Sequence, residues 1–417
     1  MSPRRHRILL VALTLALAPS VAPAARAWGL PSFVNTVAGG NGAGYSGDGS
    51  LATGARLNAP AALATDTNPI AGTYGTMYPA DSGNCTVRQV SAPYHVISRW
   101  AGTGTCHTNT SAGDESSMRT QAPPGHIHAI AVDNAHDVFI ADPTNCTVWE
   151  YDNKDSIFSA RIATGYCPAA DWIAAGPRAN AAQVNVAPTA LAADDNGTVY
   201  VADGHGNGAV YSIAKGASTL TGLAGGGSTV AQAGTAASAA ELSVSGLAAD
   251  MNGDVFIAAA ASQSVLELGK SASAFTVAYQ DPSFQPAGLA VSPDSDLLLV
   301  SDSAHNSLFE VSAGSATTLT APSAGGYQGD GGDPSGAHCT RPLAYASTSP
   351  DSPASASSWS PTPRTTRSGR SQNPPHRRFR SPAGRHGQTS RMTATSPPHR
   401  PPLTTARRSP RSATAPK

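Results

Sequence analysis

Short apolar runs, eight of ten closed by Asp, recur along residues 61–302 in pairs. The first run of each pair is built from small side chains: Ala61–Asp66, Ala129–Asp133, Ala190–Asp194, Gly246–Asp250 and Gly288–Ser292. The second is richer in Val, Ile, Tyr and Phe: Met77–Asp81, Val138–Asp142, Val199–Asp203, Val255–Ala259 and Leu298–Asp302. Runs of this length with β-branched and aromatic enrichment, bounded by turn residues, predict strands. Each repeat supplies four strand candidates. In the second repeat they are Ala129–Asp133, Asp137–Ala141, Cys146–Tyr151 and Ser159–Thr164, separated by turns such as Asn134–His136 and Asp142–Asn145. No long amphipathic helix interrupts the pattern.

Repeated four-strand units have one economical solution. The small residues of each first strand suit an innermost position, where strands converge on an axis and bulky side chains would clash. Sheets arranged radially in this way make an all-β β-propeller of four-stranded antiparallel blades. Five full blades are expected over residues 28–335, with a lone outer strand at Phe33–Gly39 as an N-terminal closing strand and a sixth blade missing or incomplete. Asp81, Asp142, Asp203 and Asp302 end the second strands and open the turns to the third, where a carboxylate can accept backbone N–H groups as in an Asx-turn. These four are expected to be structural. The copy with Ala259 is expected to lack this turn and to be looser.

The N-terminus and the charge distribution divide the chain. Arg4, Arg5 and Arg7 precede an apolar core at Ile8–Ala18, and Ala25-Arg-Ala27 forms an A-x-A cleavage site. Residues 1–27 therefore read as a secretory signal peptide, too short in its apolar part to span a bilayer, and no later stretch qualifies as a membrane span. The expected location is secreted or extracytoplasmic. Net charge is +0 overall, yet residues 351–417 hold 13 of the 27 basic residues and a single acid. Residues 28–350 are left with 10 basic and 26 acidic residues, near −16, which argues against specific nucleic-acid binding by the folded part. Cys85 and Cys106 are 21 residues apart, as are Cys146 and Cys167, at matching places in two repeats. If the outer strands form a hairpin, its ends meet there, so disulfides Cys85–Cys106 and Cys146–Cys167 are expected, in keeping with export. A zinc site is the alternative, but no C-x-x-C is present and the pairs fall in different repeats.

Val37-Ala-Gly-Gly40, Gly47-Asp-Gly49, Leu57-Asn-Ala-Pro60, Ala80-Asp81, Asn84 and Arg88 resemble the words of the NHL family of β-propellers. The resemblance covers about residues 33–335. It weakens from the third repeat on, and Arg88 is replaced by Trp149, Tyr211, Leu266 and Phe309. Similar repeats occur in secreted bacterial proteins, in ectodomains of bacterial sensor kinases and in teneurins. The resemblance implies six blades closed by an N-terminal strand.

The expected sixth blade opens with Gly326–Gly332 and then vanishes into a Ser-, Pro- and Arg-rich stretch. Residues 336–417 read as a disordered basic tail. A sharper reading is a blade translated out of frame. Read two nucleotides downstream, His338–Pro350 can become LHAPLGVRVDLTG, which imitates Leu57–Asp66. Trp359–Arg370 can become VADTQNNAVRE, the second-to-third-strand word. Phe379 onward can become PVAGGQARADVADDGDIAATSAPL, which echoes Val37–Leu57. All three words stand in one frame and in family order. Cys339 is then an unpaired thiol created by the shift.

Little in the sequence carries chemistry. His126 and His128 precede an innermost strand and are candidates for the central channel, but no other repeat has a histidine there, and a metal needs three convergent ligands. No metal site is expected. The loops at Gly44–Gly49 and Gly326–Gly331 are not phosphate loops, since no Gly-Lys-Ser/Thr follows, and a lone Asp48 or Asp330 is a poor calcium site. No G-x-S-x-G elbow occurs, and no cofactor is expected. His205 and His305 are expected to be solvated turn residues. The function read from the sequence is noncatalytic binding of a protein or carbohydrate on one face of the ring, with loops on a rigid scaffold. The alternatives are an extracytoplasmic lyase or hydrolase that uses channel histidines, and a frameshifted product without function.

Overall fold

A computed structural model describes residues 35–68, 74–92, 94–106, 125–163, 179–180, 186–206, 208–291 and 297–320. They form an all-β propeller with five blades. Blade 1 comprises Pro60–Thr65, Met77–Asp81, Thr86–Ser91 and Val96–Ala101. Blade 2 comprises Ala129–Val132, Val138–Asp142, Thr147–Asp152 and Ile157–Ala163. Blade 3 comprises Pro188–Ala193, Val199–Asp203, Ala209–Ile213 and Thr219–Gly225. Blade 4 comprises Val244–Ala249, Val255–Ala259, Ser264–Leu268 and Thr276–Gln280. Blade 5 comprises Pro286–Val291, Leu298–Asp302, Ser307–Ser312 and Ser315–Thr318. Within each blade the strands pair antiparallel in chain order. The signal peptide and the tail from residue 336 lie outside the described residues.

Alternation along each strand sends one set of side chains to the preceding blade and the other to the following blade. Ala64, Tyr78, Ala80 and Val87 of blade 1 pack on Ile130, Val138, Ile140 and Trp149 of blade 2. Phe139, Ala141 and Val148 then pack on Leu191, Val201 and Tyr211 of blade 3. The same exchange joins blades 3 and 4, and blades 4 and 5. Large aromatics fill the wider outer part of the wedge. Trp100 meets Tyr78, Tyr151 and Phe158 with ring centroids 5.0–5.3 Å apart, mostly edge to face.

Small side chains dominate the inner strands because the blades converge there. A Cβ on Gly246 would come 2.6 Å from the carbonyl oxygen of Ala287 in the next blade. The pairing of first and second strands is interrupted at one place in four blades, at Pro60/Ala62, Pro188/Ala190, Val244/Gly246 and Pro286/Leu289. Such bulges sharpen the local twist, which a wedge-shaped blade needs near the hub.

Asn35–Gly39 belong to no strand. A short strand, Ser50–Leu51, adds to the outer edge of blade 1 by pairing with Val96 and Ile97; Phe33 and Val34 of the expected closing strand lie outside the described residues.

Candidate binding faces and central channel

Antiparallel strands place the second-to-third-strand turns and the blade entries at one end of the ring. The first-to-second and third-to-fourth turns lie at the other end. At the entry end, four carboxylates sew each turn to the incoming chain. Asp81 accepts the backbone N–H of Asn58 at 2.6 Å and the side-chain amide of Asn84 at 2.8 Å. Asp142 accepts the N–H groups of Gly125 and Asn145 at 2.7 and 3.2 Å and the amide of Asn145 at 2.7 Å. Asp203 accepts from Ala187 and His205, and Asp302 from Gln285, Ala304 and His305. Burial pushes the Asp81, Asp142 and Asp203 carboxyls up, and the hydrogen bonds pull back against it. The residue just before the third strand is left-handed in all five blades: Cys85, Cys146, Gly208, Gln263 and Asn306, with φ of 48° to 64°.

Blade 4, with Ala259 in place of the acid, keeps its turn. Ser262 donates to the Ala259 carbonyl, its hydroxyl lies 2.7 Å from that of Ser264, and the Ala260 N–H reaches the Ser243 carbonyl at 2.9 Å. The hydroxyls bond within the turn, and the backbone bond from Ala260 ties it to the incoming chain. The turn histidines also differ from expectation. His305 Nδ1 lies 2.6 Å from Asp302, and His205 Nδ1 lies 3.0 Å from Asp203.

Cys85 and Cys106 form a disulfide with Cα atoms 5.1 Å apart. Cys146 is also disulfide-bonded; its expected partner Cys167 lies outside the described residues. Among the described residues, one group offers three ligand atoms within 4.8 Å of one another: Cys85, Cys106 and His126. Both thiols are spent in the disulfide, so the group is no metal site. His126 is exposed beside it.

The blade 1 entry contains a buried arginine. The Arg88 side chain is fully enclosed. Its guanidinium donates to Asp48 at 2.8 Å and to the Ser46 carbonyl at 3.2 Å, lies 3.5 Å from Asp81, and sits 4.5 Å from the centre of the Tyr45 ring. The Tyr45 hydroxyl donates to Asp48 at 2.8 Å. Burial and that bond push its pKa up to about 12. Gly44–Gly49 is thus a clasp over Arg88.

The hub is a cavity of about 200 Å³ lined by all five first strands. At its entry end stand Ala61, His128, Thr189, Ser245 and Ala287. His128 is the ionisable side chain of that ring. Burial against the hub lowers its pKa, with His126 adding to the effect, which favours the neutral imidazole. His126 and His128, two apart on extended chain, do not converge: one flanks the disulfide, the other faces the hub.

At the opposite end, the structure reveals contacts that single residues in the sequence did not announce. Asp66 of blade 1 lies 2.6 Å from His136 of blade 2, and Lys215 of blade 3 reaches Asp133 and Asp137 of blade 2 at 3.0 and 2.8 Å. This end also carries Tyr94 (75% exposed) in a third-to-fourth turn, Ile157 (54%) at the start of a fourth strand, and Met251 (45%) at the hub mouth.

No family model and no curated protein matches the chain. Solved structures are similar to it. A structural-genomics protein of unknown function from Bacteroides thetaiotaomicron VPI-5482 aligns with TM-score 0.51 at 13% identity over 76% of this chain and 70% of that one. Nidogen in its complex with laminin aligns at 0.42 and 14% identity, over 60% and 74% of the two chains. Virginiamycin B lyase from Staphylococcus aureus aligns at 0.42 and 10%, over 64% and 71%. Likeness at these identities concerns architecture alone: the chain is a β-propeller.

Proposed function

We propose that this chain is an exported, NHL-type propeller that binds a protein or carbohydrate without catalysis, through the face formed by its first-to-second and third-to-fourth turns. The observation that carries the reading is the placement of Tyr94, Ile157 and Met251, large exposed hydrophobics, on that one end of the ring. The turns at the other end are tied down by Asp81, Asp142, Asp203 and Asp302. Exposed apolar side chains on a rim suit recognition; the other large exposed ones, Val37, Tyr45, Leu51 and Val230, lie in the linkers that enter blades 1 and 4. The disulfide at Cys85–Cys106 supports an oxidising location, and no helix among the described residues is long and apolar enough to cross a membrane.

A second reading rests on His128, a neutral imidazole at the hub mouth, which is a competent general base for a lyase or hydrolase. One experiment separates the two. The purified chain is screened on a glycan array and against an immobilised secretome, with Tyr94→Ala/Met251→Ala and His128→Ala variants alongside. The binding reading expects loss of a hit at least tenfold in the first variant and none in the second. Retained binding in the first variant, or turnover abolished by His128→Ala, overturns it.

A further inference from the structure

His126 differs from the turn histidines in what it lies against. His136, His205 and His305 each set Nδ1 beside a carboxylate. The imidazole of His126 instead has a nitrogen within 4.8 Å of the sulfurs of both Cys85 and Cys106. Cys85 is buried, while Cys106 and His126 are exposed, so the group is open to solvent on one side. The arrangement belongs to this blade boundary. Gly125 and Ala187 make equivalent bonds to Asp142 and Asp203, and the next residue is His126 at the entry to blade 2 but Pro188 at the entry to blade 3. Cys146, the counterpart of Cys85, therefore has no histidine at the matching position.

Two of the three groups are fixed and the third is hinged. Cys85 closes the turn that Asp81 opens, and its N–H reaches the Ser82 carbonyl at 3.0 Å. His126 follows Gly125, which Asp142 anchors at 2.7 Å, and its own N–H reaches Thr144 Oγ1 at 3.2 Å. Cys106 lies beyond the end of the fourth strand Val96–Ala101, after Gly102 and Gly104 at φ of 84° and 89°. Glycine there lets the chain readjust. A tetrahedral zinc site sets its ligand atoms about 3.5 Å apart, so the group needs a shift of about 1–2 Å once both thiols are free. Two thiolates and a neutral imidazole cancel the charge of Zn²⁺, and three protein ligands leave the fourth position to water.

We propose that opening the Cys85–Cys106 disulfide converts this corner into a zinc site, with Cys85, Cys106 and His126 as ligands. A thiolate of a dithiol reductant attacks the exposed Cys106 sulfur, and Cys85 leaves as a thiolate that takes up a proton. The second thiol of the reductant then attacks the mixed disulfide and releases Cys106, which takes up the other proton. Two electrons and two protons pass to the cysteines, and the reductant leaves as its own disulfide. Zn²⁺ displaces both thiol protons and accepts the imidazole lone pair. The metal takes over the staple of blade 1 and ties it to the entry of blade 2. This inference is independent of the binding reading, which uses the opposite end of the ring.

The full chain carrying Cys146→Ser, Cys167→Ser and Cys339→Ser is reduced with dithiothreitol, desalted under nitrogen and titrated with Co²⁺, whose thiolate charge-transfer band reports bound sulfur. One Co²⁺ per chain is expected, displaced by Zn²⁺, with none bound by the oxidised chain. His126→Ala in the same background is expected to weaken binding at least tenfold. No thiolate band in the reduced chain, or undiminished affinity in His126→Ala, overturns the proposal. Should the substituted chain not fold, the unsubstituted chain is reduced and its thermal unfolding compared with and without equimolar Zn²⁺. A rise in Tm that His126→Ala abolishes supports the site. No rise, or an equal rise in His126→Ala, overturns it.

Discussion

The linker into blade 1 and the linker into blade 4 share a backbone. Gly39 and Gly225 take φ of 84° and 91°. Gly49 donates its N–H to the Ile97 carbonyl, and Gly234 to that of Phe275, both at 2.8 Å. Each linker then makes a 3-10 turn, at Ala52–Gly54 and Ala237–Ala239. The Ala52 and Ala237 N–H groups reach the carbonyls of His95 and Ser273, again at 2.8 Å. The centres differ. Blade 1 wraps the buried Arg88 guanidinium with Asp48, Ser46 and Tyr45. Blade 4 wraps Leu266 with Ala231, Ala240, Leu242 and Phe275. Glycine, alanine and backbone hydrogen bonds set the path of the linker, and the centre is filled by an ion or by hydrocarbon. The two fillings tolerate damage differently, because a buried charge depends on every partner while hydrocarbon loses only contact area.

The sharpest way to break the comparison is to exchange the centres. Leu266→Arg places a guanidinium among alanines, and we expect a loss of about 5 kcal/mol, read as a shift of the urea midpoint. Arg88→Ala leaves Asp48 and the enclosed Asp81 without their cation, and about 3–5 kcal/mol is expected. Removal of both ends in R88M/D48A should cost less than Arg88→Ala alone. A greater cost would show that the two groups do not act as a pair. The disulfide belongs to blade 1 and has no counterpart in blade 4. Closing a loop over a separation of 21 residues, it should contribute about 3 kcal/mol, measured as the stability lost in a Cys85→Ser/Cys106→Ser chain.

The smallest expected effect is on titration. Burial raises the Asp81 pKa above 3.8, against the pull of Asn58, Asn84 and Arg88. The folded chain therefore keeps that proton to higher pH than the unfolded chain. The stability this contributes is complete below 3.8 and is lost as pH rises through the elevated folded value. Arg88→Ala should move the Asp81 titration, followed by carboxyl chemical shift, further upward. A downward move would contradict the role given to Arg88. Blade 4, with Ala259, offers no such titration.

Much of the fold was legible because it is periodic. The second strands Val138–Asp142 and Val199–Asp203 end at the acids that closed the apolar runs. The equal spacing of Cys85 and Cys106 translated into a hairpin end that the disulfide joins. What stayed hidden involves pairs from different repeats. Lys215 meets Asp133 and Asp137 across some eighty residues, and nothing near Lys215 in the chain marks it as their partner. The clasp over Arg88 was likewise visible only as two separate words, Gly44–Gly49 and Arg88, with no hint that one encloses the other. Ser262 and Ser264, which hold the turn that lacks an acid, looked like ordinary loop serines.

By itself, the sequence determined the number of repeats, the strands within them and the small residues that line the hub, because each follows from local alternation and side-chain size. Tertiary structure alone decided which end of the ring carries Tyr94, Ile157 and Met251 and where the inner strands bulge. Those features arise when five wedges are set around one axis. They depend on distances between residues of different blades, which no stretch of local sequence encodes.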